Sequence, residues 1–115
     1  PGVTIIKEVT TLKLKVIPFK HRIDPVTLPP NTGVLVGPVT LSSGQELAVY
    51  VTWTPSSATL LIAAINANTM SGPGVYATGG SAYVVFNLEP GSWYALVYNV
   101  SPYTVYATIY VFIIS

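Results

Sequence analysis

The sequence predicts an all-β fold, a single antiparallel β-sandwich of the jelly-roll or immunoglobulin-like kind with a long N-terminal strand extension. Short apolar runs recur from residue 33 onward, and clusters of Gly, Pro and Ser separate them. No segment has a helical period of useful length. A length of 115 residues fits one hydrophobic core, so we expect one domain.

The N-terminal extension is predicted to be one strand over residues 3–17. At roughly 3.3 Å per residue it would reach about 50 Å, far longer than an ordinary strand. Its phase changes around Lys7 and Glu8, which divides it into two sections. We expect Val3 to Val9 to insert where both faces are buried, and the lysine-bearing section that follows to lie along a half-exposed edge. The residues predicted to act as a donor strand are Val3, Ile5, Ile6, Val9, Leu12, Leu14 and Val16.

Residues 18–32 contain four prolines and are predicted to form a stiff, extended connector. The chain therefore divides into an extension (1–17), a linker (18–32) and a sandwich body (33–115). Seven of the nine charged residues precede position 25, which leaves only Glu46 and Glu89 in the body. This asymmetry favours weak head-to-tail attraction between copies, although lysines that protect an exposed edge strand explain it equally well.

The body is predicted to begin with a strand at 34–41, interrupted at Gly37-Pro38 by a bulge or sheet edge. A strand at 46–54 alternates strictly, and its inward residues are Leu47, Val49, Val51 and Trp53. The segment 58–66 is apolar on both faces, so we expect both to be covered. Residues 67–81 are interpreted as a Gly-rich connecting loop. Segments 82–88 and 92–100 are predicted to form a hairpin around a type II turn at Glu89-Pro90-Gly91.

The last predicted strand, residues 103–114, has apolar residues on both faces. If its odd positions fill the core, the other face carries an apolar patch of Tyr106, Tyr110, Phe112 and Ile114, which is typical of an interface. The alternative is that another part of the same subunit covers the patch. Because this strand is also long, we expect it to pair with the N-terminal strand.

The residue inventory argues against catalysis and against a metal or cofactor. The single histidine, His21, has no cysteine or second histidine beside it, and the four carboxylates are isolated in sequence. A net charge of +1 argues against nucleic acid, and the longest apolar runs are too short for a transmembrane helix. Trp53 and Trp93 are interpreted as core residues rather than sugar-binding platforms. We predict no enzyme, no small-molecule substrate and no transmembrane span.

Two features bear on the cellular location. The chain starts at Pro1 without a methionine, from which we expect a processed N-terminus and an extracellular or cell-surface protein. Asn99-Val100-Ser101 is a sequon for N-glycosylation, so Asn99 is a candidate glycosylation site. Chance occurrence of the sequon is about equally plausible, and the absence of cysteine does not decide the compartment.

Two passages carry a resemblance to a known family. Residues 39–47, VTLSSGQEL, and residues 88–99, LEPGSWYALVYN, are similar to pre-peptidase C-terminal domains, the β-sandwich modules of secreted bacterial and archaeal proteins. The resemblance implies the fold of the body over roughly residues 38–112. The acidic residues by which some of those modules bind calcium are missing here.

The overall layout resembles subunits of archaeal extracellular filaments such as threads and bundling pili. That resemblance implies a secreted homopolymer in which residues 3–17 insert as a strand into the next subunit, head to tail. The leading hypothesis is therefore a structural filament subunit. The alternatives are a viral capsid or turret protein with the same sandwich, and a secreted module that binds carbohydrate or a cell surface.

Overall fold

The computed structural model describes residues 2–115. Pro1, on which the expectation of a processed N-terminus depends, lies outside the described residues. Over residues 2–115, ten strands and one short 3-10 helix follow one another. They are β1 (Thr4–Ile6), the 3-10 helix (Val9–Thr11), β2 (Lys13–Ile17), β3 (Arg22–Leu28), β4 (Thr32–Leu41), β5 (Glu46–Thr54), β6 (Thr59–Asn66), β7 (Gly72–Thr78), β8 (Ser81–Asn87), β9 (Gly91–Asn99) and β10 (Val105–Ile114).

The strands form two sheets that pack face to face. Sheet 1 has the order β1-β7-β6-β9-β4-β2, and sheet 2 has the order β3-β10-β5-β8. Every pair is antiparallel except β2 and β4, which run parallel. The predicted all-β sandwich is confirmed.

The main core lies between the sheets and comes from the strands whose apolar pattern was clearest. Leu47, Val49, Val51 and Trp53 of β5 are buried as predicted, and so are the odd positions of β10 from Val105 to Val111. Both faces of β6 are covered, again as predicted. The interruption at Gly37-Pro38 is also confirmed, since the register between β4 and β9 shifts between Val36 and Val39.

Four expectations about individual elements were wrong. Residues 3–17 form two strands and a 3-10 helix instead of one long strand. The predicted connector contains the strand β3. Pro25 is tolerated within this strand because β3 lies at the edge of its sheet. The predicted loop 67–81 contains β7. β10 pairs with β3 and β5, and not with the N-terminal strand.

The predicted hairpin between β8 and β9 was also wrong. β8 pairs with β5 in sheet 2, whereas β9 lies between β6 and β4 in sheet 1. The turn around Pro90 therefore carries the chain from one sheet to the other. Trp93, just after this turn, is buried and its indole N–H donates to the Glu89 carbonyl at 2.9 Å, which fixes the corner.

Candidate assembly surfaces

The N-terminal segment, residues 2–17, crosses the outer face of sheet 1 from one edge to the other. β1 pairs with β7 at one edge, and β2 pairs with β4 at the opposite edge. Because β6 and β9 lie between those edges, the residues that join β1 to β2 must pass over them. In the folded chain the segment thus completes its own domain.

Val9 anchors this crossing. Its side chain is fully buried in a second apolar cluster, here called the outer cluster, which consists of Val9, Leu35, Leu61, Ala63, Ile65 and Leu96. Ile6, Leu14, Met70, Tyr94 and Tyr98 pack around its margin. The 3-10 turn that begins at Val9 is closed by the Thr11 hydroxyl, which donates to the Glu8 carbonyl at 2.7 Å. The outer cluster explains why β6 is apolar on both faces.

The other predicted donor residues are less buried than Val9. Ile6, Leu12 and Leu14 are half-buried. Val3, Ile5 and Val16 are exposed by 66%, 58% and 56% respectively. Within the single chain only Val9 is enclosed. The expectation that Val3 to Val9 inserts with both faces buried concerns a neighbouring subunit and stays a prediction. No sequence signal distinguished Val9 from its neighbours, because its burial depends on a turn and not on strand alternation.

An open cleft of about 830 Å³ separates the edge strands β2 and β3. Ile17, Val26, Leu28 and Val34 give it an apolar lining, and Lys13 and Lys15 lie on the β2 side. The cleft exists because β2 extends sheet 1 and β3 extends sheet 2, and neither strand hydrogen-bonds to the other. Its lining residues come from the predicted extension and linker as well as from the body.

The exposed side of sheet 2 carries the outer aromatic face, which consists of Tyr50, Tyr83, Tyr106, Tyr110 and Phe112. The ring centroids of Tyr83 and Tyr50 lie 6.5 Å apart, those of Tyr50 and Tyr110 5.5 Å, and those of Tyr110 and Phe112 6.4 Å. The Arg22 guanidinium carbon lies 5.9 Å from the centre of the Tyr110 ring. The predicted patch residues Tyr106 and Phe112 are exposed, and Tyr110 and Ile114 are half-buried. Sequence reasoning did not single out Tyr50 and Tyr83, although strict alternation in β5 places Tyr50 on this side.

Asn99, the candidate glycosylation site, is fully buried. Its amide nitrogen donates to the carbonyl oxygens of Leu28 and Tyr103, at 2.9 and 2.8 Å. Its side-chain oxygen accepts from the Ser101 backbone N–H at 2.8 Å. A glycan on this nitrogen would replace one of its two N–H groups and so remove one of the donated bonds, and the fully buried side chain leaves no room for a sugar, so the structure argues against glycosylation of the folded domain. The side chain instead ties three parts of the chain together.

The described chain offers little for other chemistry. Over residues 2–115, no group of three His, Cys, Asp or Glu side chains is close enough to hold a metal ion. The His21 ring meets Phe19 edge-on and stacks on Phe112, with ring centroids 5.3 and 6.3 Å away. No helix in the described part of the chain is long and apolar enough to cross a membrane.

No family model and no curated protein sequence matches this chain. Among solved structures, the fold is similar to the pre-peptidase C-terminal domain of a collagenase from Bacillus anthracis, with a TM-score of 0.62 and 16% identity over 88% of this chain and 96% of that domain. It is also similar to a periplasmic inhibitor of g-type lysozyme from Aeromonas hydrophila, with a TM-score of 0.61 and 12% identity over 89% of this chain and 98% of the inhibitor. At these identities the similarity shows the fold alone, and it confirms that the body resembles a pre-peptidase C-terminal β-sandwich.

Proposed function

We propose that this protein is a non-catalytic structural subunit of an extracellular filament, in which the N-terminal segment of one copy docks on the outer face of sheet 1 of the next. The observation that carries the proposal is the burial of Val9 in the outer cluster while Val3, Ile5 and Val16 remain exposed. The segment is held on the body by the enclosed side chain of Val9 and by two short strand pairings, β1 with β7 and β2 with β4. The same contacts form equally well between copies, which is the basis of strand exchange.

The geometry of the connection supports such an exchange. β2 ends at Ile17 and β3 begins at Arg22, so residues 18–21 form a short connection outside any strand. A change of backbone direction within this connection would redirect the segment toward a neighbour. In the single chain the segment leaves apolar side chains in water, and a neighbouring subunit would remove them from it at about 25 cal/mol per Å² of apolar area.

The docked segment and the receiving face differ, so the contact between copies is heterologous and can propagate without closing. The scarcity of charge in the body, with only Glu46 and Glu89 after residue 24, suits close packing of many identical neighbours. An extracellular setting is part of this proposal. A periplasmic protein among the structures of similar fold is consistent with export.

A disulfide lock tests the exchange, because the chain contains no cysteine. Lys13 of β2 lies opposite Thr32 of β4 in the ladder. In the Lys13→Cys/Thr32→Cys variant, oxidation of the monomer fixes the segment on its own body, so we expect assembly to stop and to resume after reduction. Oxidation of preformed filaments is expected to give a covalent ladder on a denaturing gel.

The single variants Lys13→Cys and Thr32→Cys are the matched controls and are expected to assemble in either redox state. Electron microscopy of the oxidised and reduced samples provides the readout. Filaments from the oxidised monomer, indistinguishable from those of the reduced one, would rule out the exchange. A chain that stays monomeric at high concentration under all conditions would rule out the filament itself.

The outer aromatic face favours a second candidate, a secreted module that binds carbohydrate. Aromatic side chains at spacings of 5.5–6.5 Å offer successive apolar surfaces against which sugar rings stack. In that case Tyr50→Ala and Tyr110→Ala are expected to abolish retention on insoluble polysaccharide without unfolding the domain. Retention that survives both substitutions would exclude this face as the sugar site.

A further inference from the structure

We propose that the free edge of β8 is a homodimer interface, through which two copies pair antiparallel about a two-fold axis and join their second sheets into one. Such an edge exposes a row of backbone N–H and C=O groups that another strand can bind. β8 is the last strand of sheet 2 and is paired only with β5. This inference does not depend on exchange of the N-terminal segment, since it concerns the other sheet.

The case for β8 comes from comparing the strands that end the two sheets. β1 is only three residues long, and it covers β7 as far as Gly74. β2 carries Lys13 and Lys15, which would repel an identical strand. β3 contains Pro25, and its register with β10 is interrupted. Short length, lysines, proline and irregular register are the usual means by which proteins prevent edge pairing.

β8 has none of these features. Its sequence, SAYVVFN, contains no charge and no proline, and it keeps an uninterrupted register with β5 from Asn87 to Ser81. Tyr83 and Val85 point to the outside and are exposed by 58% and 41%. A regular, uncharged edge with exposed apolar side chains is the kind of edge that pairs with another strand.

The strand is also complementary to itself. If the two-fold axis passes through Val84, Tyr83 of one copy lies opposite Val85 of the other, and Ser81 lies opposite Asn87. Pairs of an aromatic and a β-branched residue are favourable across antiparallel strands. No like charges meet, in contrast to a pairing of two β2 strands. The outer aromatic face then continues across the seam, because Tyr83 is the end of the row of rings that runs through Tyr50 to Tyr110.

A single cysteine tests the register. Val84→Cys places two thiols at the two-fold axis, where the Cα atoms of opposed residues lie about 4.5–5.5 Å apart, within the range of a disulfide. We expect mild oxidation of the full chain to give a covalent dimer and no larger species. Tyr106→Cys is the control for disulfides formed by random collision, because Tyr106 is exposed but lies on β10, an interior strand of sheet 2. Equal dimer yields from the two variants would overturn the proposal.

A charge test covers the case in which the cysteine disturbs the strand. In Tyr83→Lys/Val85→Lys each introduced lysine faces a lysine of the other copy, so we expect the dimer dissociation constant in sedimentation velocity to rise at least tenfold. In Tyr83→Lys/Val85→Glu each lysine faces a glutamate, so association is expected to return. Tyr106→Lys is expected to leave the dissociation constant unchanged. A wild-type chain without dimers at millimolar concentration, or Lys/Lys and Lys/Glu variants with equal constants, would refute β8 pairing.

Disulfide yield and dimer affinity at β8 are independent of the fate of residues 2–17. Loss of filaments in the locked Lys13→Cys/Thr32→Cys variant is expected to leave β8 dimers intact. Conversely, Tyr83→Lys/Val85→Lys is expected to leave strand exchange intact and to remove only the side-by-side contact. The experiments can therefore refute strand exchange without refuting the β8 dimer, and the reverse.

Discussion

Asn99 at the end of β9 and Leu28 at the end of β3 are joined by a hydrogen bond of 2.9 Å that runs from sheet 1 to sheet 2. The donor is a buried side-chain amide and the acceptor is a backbone carbonyl 71 residues away in the sequence. This one side chain, which also contacts Tyr103 and Ser101, closes the end of the sandwich where the last loop turns toward β10.

We expect Asn99→Ala to lower the free energy of unfolding by about 3 kcal/mol, because it leaves buried partners of the amide without a hydrogen bond. Urea denaturation followed by tryptophan fluorescence measures the change. Asn87→Ala is the control, since Asn87 is exposed at the end of an edge strand. A decrease in the free energy of unfolding no larger than that of the control would show that the hydrogen bonds of Asn99 do not contribute to stability. Intact mass of the native protein is expected to show no glycan at Asn99.

Val9 is expected to determine whether the N-terminal segment stays docked. Val9→Ala removes buried methyl groups and leaves a cavity, at a cost of about 1.5–3 kcal/mol. Val9→Asp places an unpaired carboxylate in the outer cluster, so we expect early proteolysis of the segment while the body remains folded. Thr10→Asp is the control, because Thr10 is exposed beside Val9. Equal rates of cleavage in the two aspartate variants would contradict the anchoring role.

Gly72 is expected not to tolerate any side chain. A Cβ atom there would overlap the Ala64 carbonyl oxygen, which is backbone of the neighbouring strand β6. Gly72→Ala must therefore push β7 away from β6 and disturb the site where β1 pairs, at a cost of about 3 kcal/mol or more. Gly2→Ala is the control, as its Cβ meets nothing within 4 Å. Thermal unfolding of the two variants tests the difference.

The two lysines of β2 are expected to keep this edge from pairing. Replacing them in Lys13→Thr/Lys15→Thr leaves a strand with high β propensity and no charge, so we expect faster aggregation at moderate concentration. Light scattering measures it, and Lys20→Thr is the control because Lys20 lies outside the strands. If both variants remain equally soluble, the lysines have no protective role.

The sequence predicts the parts of the fold in which burial alone decides structure. The alternation of β5 and β10 and the two-sided apolar character of β6 follow from their positions in the core. β3 was missed because Pro25 is acceptable only at an edge, and edges cannot be recognised from a local pattern. β7 was missed because its glycines, which look like a loop, are required by its close approach to β6.

The candidate surfaces were predicted only in part, for a related reason. The outward position of Tyr106 and Phe112 follows from strand alternation in β10. The path of residues 2–17 does not, because the same alternation fits any partner strand, and the anchoring residue lies in a turn. The placement of β8 and β9 in different sheets also cannot be predicted from the sequence, since a tight turn at Pro90 is compatible with either a hairpin or a change of sheet.

The position of β10 has a consequence for the order of events during synthesis. β10 is the last element of the chain, yet it is an interior strand of sheet 2, bonded to β3 on one side and to β5 on the other. Until it emerges from the ribosome, β3 has no partner and Leu28 and Val51 have no β10 side chains to pack against. Sheet 2 can therefore be completed only after β10 has been synthesised, and the pairing of β3 with β10, which joins segments far apart in the sequence, is among the last contacts of the domain to form.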